Sequence, residues 1–446
     1  MELAAKDRLY VWHPFTPQKD MIAPVPIVKG KDTLLIDESG NTYIDAISSW
    51  WVTLHGHGNE YIAKKIYTQA LKLEQVIFAG FTHEPAVELA EKLIRILPAG
   101  FAKVFYSDNG STSTEVALKM ALQYWWNTKT EGKAVDTENS PPDGVTRSHN
   151  KRNKILAFRN SYHGDTFGAM SVSDRSVFTL AFHDLLFEVT FIDTPSKENL
   201  RQSLDLINRQ GNEIAAFIYE PLVQGAGGMK MYDAGLMNEL LATVKRYDII
   251  CIADEVMTGF GRTGKLFASE FLAHKPDIIC LSKGLTGGTM ALGVTASTDS
   301  IYQAYVNDDK LKTFFHGHSF TANPLACTAA IASLELFEQY SVQDKIAWLA
   351  KENEQFGKRL QSNYGSICRN IRVLGTILAF DLAIGRNEYL NNIAGVVTDM
   401  AMKAGVYIRP LGNVVYIMPP YCITAYELEK VYNTIEAIIS SISTNA

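Results

Sequence analysis

An aspartate and a lysine stand where two apolar runs give out. The run YDIICIAD ends in Asp254, and DIICLS leads directly into Lys283. Both runs are short and rich in isoleucine, the pattern of strands buried on both faces of a parallel sheet, here joined by a helix-sized crossover. An acid and an amine at the carboxyl ends of neighbouring strands lie where open α/β sheets bind ligands. The intervening glycines allow two nucleotide-binding readings, and both fail. Gly259, Gly261 and Gly264 satisfy G-x-G-x-x-G, but the residue near the place of the ribose-binding acid is Lys283. Gly259 to Lys265 begins a phosphate-binding loop, but the following residue is Leu266, not the Ser or Thr that would hold Mg²⁺.

A third element of chemistry lies upstream, in YSDNGSTSTEVALKM. A strand ends near Ser107, a glycine turn follows, and Thr112-x-x-Glu115 reads as a capping box opening a helix. The amides of Gly110, Ser111 and Thr112 then form an anion site at a helix N-terminus. Capping alone accounts for the box; beside Asp254 and Lys283 it implies a bound phosphate. A ligand that uses a phosphate cradle, a carboxylate and a lysine amine together is pyridoxal phosphate. The amine carries the cofactor, and the carboxylate keeps the pyridine nitrogen protonated so that the ring draws electrons. Tyr162, beside Gly164 in RNSYHGDTFGAMS, is the candidate to cover the ring, although a loop tyrosine by itself is more often a packing residue.

The elements that must position these groups follow from the pattern around them. Up to about Asp45 the chain reads as a small β meander. Between about Ser48 and Phe320, strand-like runs (KVFYS, KILAF, EVTFID, AAFIYEP, DIICIAD, DIICLS) alternate with helical patterns, which predicts an α/β domain with a mostly parallel sheet. We therefore divide the chain into residues 1–47, which belong with a small domain, a large domain over 48–322, and a C-terminal α+β small domain over 323–446. The polar segment Asn127–Asn153, with its paired prolines, reads as a solvated insertion. The net charge of −6 comes without a basic block, so neither nucleic acid nor an anionic membrane is an expected partner. With charges near the N-terminus and no run of 18 apolar residues, the expected location is the cytoplasm. Five dispersed cysteines without a C-x-x-C read as reduced and buried, and the histidines of HGHG and HGH lack the companions of a metal site.

With these residues in place, ADEVMTGFGRTGKLFA followed by PDIICLSKGLTGG resembles the signature of the class III aminotransferases, and the resemblance covers nearly the whole chain. It implies a fold type I, pyridoxal-phosphate-dependent enzyme. WHPF, SSWW, NSYHGDTFGAMS, EPLVQGAGGM, FFHGHSFTANPLAC and YIRPLGNVVYIMPPY are similar to the branch of the family that aminates 8-amino-7-oxononanoate to 7,8-diaminononanoate in biotin synthesis. By this resemblance Lys283 carries the cofactor, Asp254 faces the pyridine nitrogen, Tyr162 stacks on the ring, and Gly110 and Ser111 hold the phosphate. Ser319 would reach the phosphate of the other subunit, which implies a homodimer with shared sites. Trp50, Phe15, Gly317 and Arg409 would face the substrate, Arg409 taking its carboxylate, and Glu220 would support Asp254. Phe15 replaces the family's usual Tyr, and Ser319 its usual Thr. The first change removes a hydroxyl from the site wall and leaves the amino donor between S-adenosylmethionine, the expected one, and lysine. An ω-amino-acid aminotransferase would share every cofactor residue.

Overall fold

The computed structural model describes residues 2–19, 21–128, 152–339, 341–383 and 393–444. The polar segment expected over 127–153 falls, but for its ends, outside the described residues.

A seven-stranded sheet organises the molecule. In chain order its strands are β1 (Phe101–Ser107), β2 (Lys154–Phe158), β3 (Thr190–Ile192), β4 (Ile214–Tyr219), β5 (Ile250–Asp254), β6 (Ile278–Leu281) and β7 (Gly293–Thr298), and in space they run β1-β7-β6-β5-β4-β2-β3. From β6 to β3 all neighbours are parallel; β7 is antiparallel to both β6 and β1. Every residue of β4, β5 and β6 is buried, which is why these strands read as unbroken apolar runs rather than alternating ones. The crossover between β5 and β6 differs from expectation. It contains turns and a single 3₁₀ turn, Ala268–Phe271, but no α-helix. Its glycines and the buried Glu255 explain this: the Glu255 carboxylate accepts from the amides of Ala268 and Ser269 and from the hydroxyls of Thr258 and Ser269, tying the loop together by side-chain bonds.

The meander forms as Ile27–Lys31, Leu34–Asp37 and Thr42–Asp45, and the C-terminal strand Val406–Tyr407 adds to it in parallel, with Val406 opposite Ile44. Cys368–Leu374, Ile377–Leu382 and Val414–Ile417 make a three-stranded antiparallel sheet. The segment after Asp45 is sutured to both small sheets: Ala46 N–H donates to Tyr407 O, and Met418 N–H to Ala46 O. No helix among the described residues is long and apolar enough to cross a membrane.

Candidate active site

The parallel register sets Asp254 of β5 opposite Cys280 of β6, with Lys283 two residues beyond the end of β6 in a left-handed conformation, φ 46°. Both residues line a cavity of about 660 Å³, within the range of small-molecule sites. Desolvation is the main influence on the Lys283 amine and lowers it to about 8; Asp254 and Glu220 pull it upward and the Arg262 guanidinium pushes it down. The amine stands 4.5 Å from the centre of the Trp51 ring.

Asp254 is held on both oxygens. Oδ1 accepts from the Val256 amide at 3.0 Å, and Oδ2 lies 2.7 Å from Nδ1 of His163, whose side chain is fully buried. Glu220 lies behind them, accepting from the amides of Tyr162 at 3.1 Å and Gly225 at 2.8 Å. Burial pushes its carboxyl up to about 7, opposed by His163 and reinforced by Asp254. The Tyr162 phenol, raised above its ordinary range chiefly by desolvation, donates to Asp165 at 2.9 Å.

The helix at the phosphate cradle is capped three residues earlier than the sequence suggested. Asn109, not Thr112, caps the helix Gly110–Asn127. Its side chain accepts from the Thr112 amide, and Thr112 Oγ1 accepts in return from the Asn109 amide. Glu115 is not part of the box and instead accepts from the amides of Gly168 and Ala169. The earlier start leaves the amides of Gly110 and Ser111 without a protein acceptor among the described residues, at the rim of the cavity. A Cβ on Gly110 would come within 2.8 Å of Val256, and one on Gly164, at φ 134°, within 2.1 Å of Ser111 Oγ. The cradle has room for a ligand but not for side chains. An acid at a strand end, an amine beside it, an aromatic ring and a helix N-terminus with free amides are together the donor and acceptor set that pyridoxal phosphate requires.

The expected substrate wall is built differently. Trp50 is 40% exposed; the Arg409 guanidinium lies 4.8 Å over its ring, and Phe15 packs 5.4 Å from it. Phe15 meets Phe178 at 5.7 Å, and Phe178 meets Tyr162 at 6.3 Å, so an aromatic row leads from the cofactor side to Arg409. Beside the row, Tyr162 and Leu411 line one further cavity, and Leu411 and Arg409 line the next, of about 460 Å³ and mostly apolar. No carboxylate pairs with Arg409 among the described residues. Gly317 and Ser319 are not brought to this cavity: they lie exposed on a separate loop, where Ser319 O accepts from Gln75 at 2.7 Å. Three residues of the site carried no usable signal in the sequence. His163 adjoins Tyr162, Trp51 adjoins Trp50, and Val256 lies two residues beyond Asp254; which of several near neighbours faces a cavity depends on backbone angles that composition does not reveal.

The sheet and the site define a fold type I, pyridoxal-phosphate-dependent transferase. Residues 15–439 match the family described as Aminotransferase class-III, and the chain belongs to that family. The adenosylmethionine-8-amino-7-oxononanoate aminotransferase of Synechococcus elongatus is 45% identical over 443 residues, 97% of this chain and 99% of the relative. The crystal structure of the enzyme of that name from Methanocaldococcus jannaschii superposes with a TM-score of 0.90 at 34% identity, covering 98% of each chain. An amine transaminase from an uncultivated Pseudomonas species, solved in its PLP-bound form, gives a TM-score of 0.86 at 29% identity, over 97% of this chain and 98% of that one. The protein is an aminotransferase and its cofactor is pyridoxal phosphate.

Proposed function

We propose that this enzyme transfers an amino group to 8-amino-7-oxononanoate, giving 7,8-diaminononanoate, with S-adenosylmethionine as donor. The observation that carries the acceptor is Arg409, an arginine without an acidic partner among the described residues at the end of an apolar cavity. A monocarboxylate with an aliphatic chain suits such a place: the guanidinium takes the carboxylate through a charge-assisted pair and the chain removes apolar surface from water. The relatives from Synechococcus elongatus and Methanocaldococcus jannaschii, both named for this acceptor, support the same reading.

Bound pyridoxal phosphate supplies an aldehyde to receive the amino group and a protonated ring that draws electrons from the bond being broken. Gly110 and Ser111 would hold its phosphate through their free amides, and Tyr162 would cover its ring. Asp254, kept in place by His163 and the Val256 amide, would hold the proton on the ring nitrogen. Lys283 would carry the cofactor and, once displaced by substrate, would move a proton on Nζ between the donor's α-carbon and the cofactor's C4′ carbon. An amine lowered to about 8 is suited to both tasks, because its neutral form is accessible near neutral pH. Donor and acceptor would use one site in turn, so the kinetics should be ping-pong. Gly317 and Ser319, exposed and away from this chain's own cavity, would serve the site of a second copy in a homodimer.

A lysine donor is the second reading, favoured by the missing hydroxyl at Phe15. Purified enzyme given 8-amino-7-oxononanoate with each donor separately tests both points. Product with S-adenosylmethionine supports the proposal; product with lysine alone overturns the donor; product with neither, in an enzyme that transaminates an ω-amino acid, overturns the acceptor.

A further inference from the structure

Tyr162 and His163 sit together on one short unit of chain. Between Asn160 and Asp174 the backbone closes on itself: the Asn160 amide donates to Asp174 Oδ2 at 2.7 Å, Asp174 N–H to Ser161 O at 3.0 Å, the Ser161 hydroxyl to Val172 O at 3.2 Å, and the His163 amide to Ser173 Oγ at 2.8 Å. The first half of the unit brings Tyr162, His163 and Asp165 to the cavity, and the second half is the helix Phe167–Val172. That helix has no cap of its own. Thr166 stands at the capping position, but its side chain makes no capping bond, and its hydroxyl is buried without a partner among the described residues.

The missing cap comes from another helix. Glu115 Oε1 accepts from the Gly168 amide at 2.6 Å and from the Ala169 amide at 3.1 Å, the second and third residues of the helix Phe167–Val172. One turn earlier on the helix Gly110–Asn127, Ser111 Oγ accepts from the Asp165 amide at 3.1 Å. Residues four apart lie on one face of a helix, so the helix that opens at the phosphate cradle presents a hydroxyl and a carboxylate side by side to the unit. Bonds from amides to a carboxylate are charge-assisted and stronger than those between neutral groups. Gly168 makes room for this one: a Cβ there would come within 2.1 Å of Glu115 Oε2. Glu115 itself does not line the cavity.

We propose that Glu115 is a positioning residue: by capping the helix Phe167–Val172 it docks the unit 160–174 against the phosphate cradle, and so sets where Tyr162 and His163 stand relative to the bound cofactor. The proposal rests on Gly110 and Ser111 holding the phosphate and on Tyr162 covering the ring. A carboxylate outside the cavity then governs two groups that face it, because the unit between them is bonded internally and shifts as one piece. Releasing the dock should slow the donor and acceptor half-reactions alike, since both use the same cofactor.

The test is a double-mutant cycle in the holoenzyme. Glu115→Ala should accelerate hydrogen exchange of the peptide spanning residues 160–174 by about tenfold, the scale of one lost helix cap, and slow both half-reactions by a similar factor. Glu115→Gln keeps an acceptor oxygen and should recover most of the protection. Gly168→Ala gives a change of sign. Alanine is the better helix former, so by propensity alone it would slow exchange; with Glu115 present its Cβ displaces the carboxylate, and exchange should accelerate. In the Glu115→Ala background the same substitution should slow exchange, because the group it displaces is gone. If Glu115→Ala does not fold, Gly168→Ala beside Glu115→Gln still reads the dock. Unchanged exchange over 160–174 in Glu115→Ala, slower exchange in Gly168→Ala alone, or no recovery with Glu115→Gln would overturn the proposal. Exchange needs no substrate, so accelerated exchange with both half-reactions intact would instead overturn the placement of Tyr162 and the cradle on which the proposal rests.

Discussion

Lys283 and Asp254 hang from strands buried on both faces, whereas Trp50 and Phe15 sit on irregular backbone and keep 40% and 44% of their surface exposed. At the cofactor end regular structure does the positioning: parallel pairing of β5 and β6 brings acid and amine to one edge, and His163 and the Val256 amide hold the acid. At the proposed acceptor end the backbone is irregular, with positive φ angles at Ser48, Ser49, Trp51 and Phe15, and the turn Ser48–Trp51 is bonded by the nearby Asp45 and by the distant Arg262. The contrast suits the two tasks. Chemistry common to a family needs fixed geometry, while a wall that selects among acceptors can change through a few loop residues without disturbing the sheet.

The comparison is tested most severely at its rigid end. Lys283→Ala should abolish covalent cofactor capture, measured by borohydride trapping and mass spectrometry, and reduce turnover by on the order of 10⁴-fold, the upper range for an acid–base group. Full capture in that variant would mean another amine serves. Asp254→Asn should leave the fold intact and cost on the order of 10² to 10³-fold in rate, as for a preorganised electrostatic partner. Near-normal turnover would place a different group at the ring nitrogen.

Lys283 also gives a pH signature. Only the neutral amine attacks an aldehyde, so with its amine lowered to about 8, capture of pyridoxal phosphate by the apoenzyme should slow about tenfold per unit below pH 8 and level off above it. An amine at the ordinary 10.5 would still be gaining rate well above pH 9 or so, and stopped-flow absorbance distinguishes the two profiles.

At the other end, Arg409→Ala should raise KM for the keto acid by roughly 10- to 100-fold, from loss of a pair of about 1.5 to 3 kcal/mol, and spare the donor half-reaction. Equal damage to both halves would remove the distinction between the two ends. The smallest effect is expected from Phe15→Tyr. A restored hydroxyl should improve use of S-adenosylmethionine by up to about tenfold, the scale of one neutral hydrogen bond. No change in single-turnover rate would show that this wall position does not select the donor.

Much of the rigid end was legible because each residue occupies a recognisable place in a regular element. Asp254 closes an apolar run, Lys283 follows one, and Gly110 and Ser111 open the helix that follows a strand. The errors there were local. Thr112 was read as the cap because Ser/Thr-x-x-Glu is a familiar helix start, but Asn109 captured the Thr112 amide first and freed Glu115 to bind the first amides of the helix Phe167–Val172. A crossover of helical length held none because Glu255 offered its backbone amides other partners. At the acceptor end, Trp50 and Arg409 were named by resemblance, and nothing in their local sequence announced that they would touch across 359 positions (409 − 50).

By itself, then, the order of residues determined where strands end, which ends carry an acid or an amine, and which turns could hold an anion, because these depend on periodicity and on neighbours within a few positions. Tertiary structure alone decided that His163 rather than its neighbour Tyr162 faces Asp254, that Val406–Tyr407 completes a sheet begun at Ile27, and that Asp45 and Arg262 both bond to the turn Ser48–Trp51. The physical reason is the same in each case. Hydrogen bonds and charge pairs inside a core are chosen by what packing brings together, and packing joins residues whose separation along the chain carries no pattern.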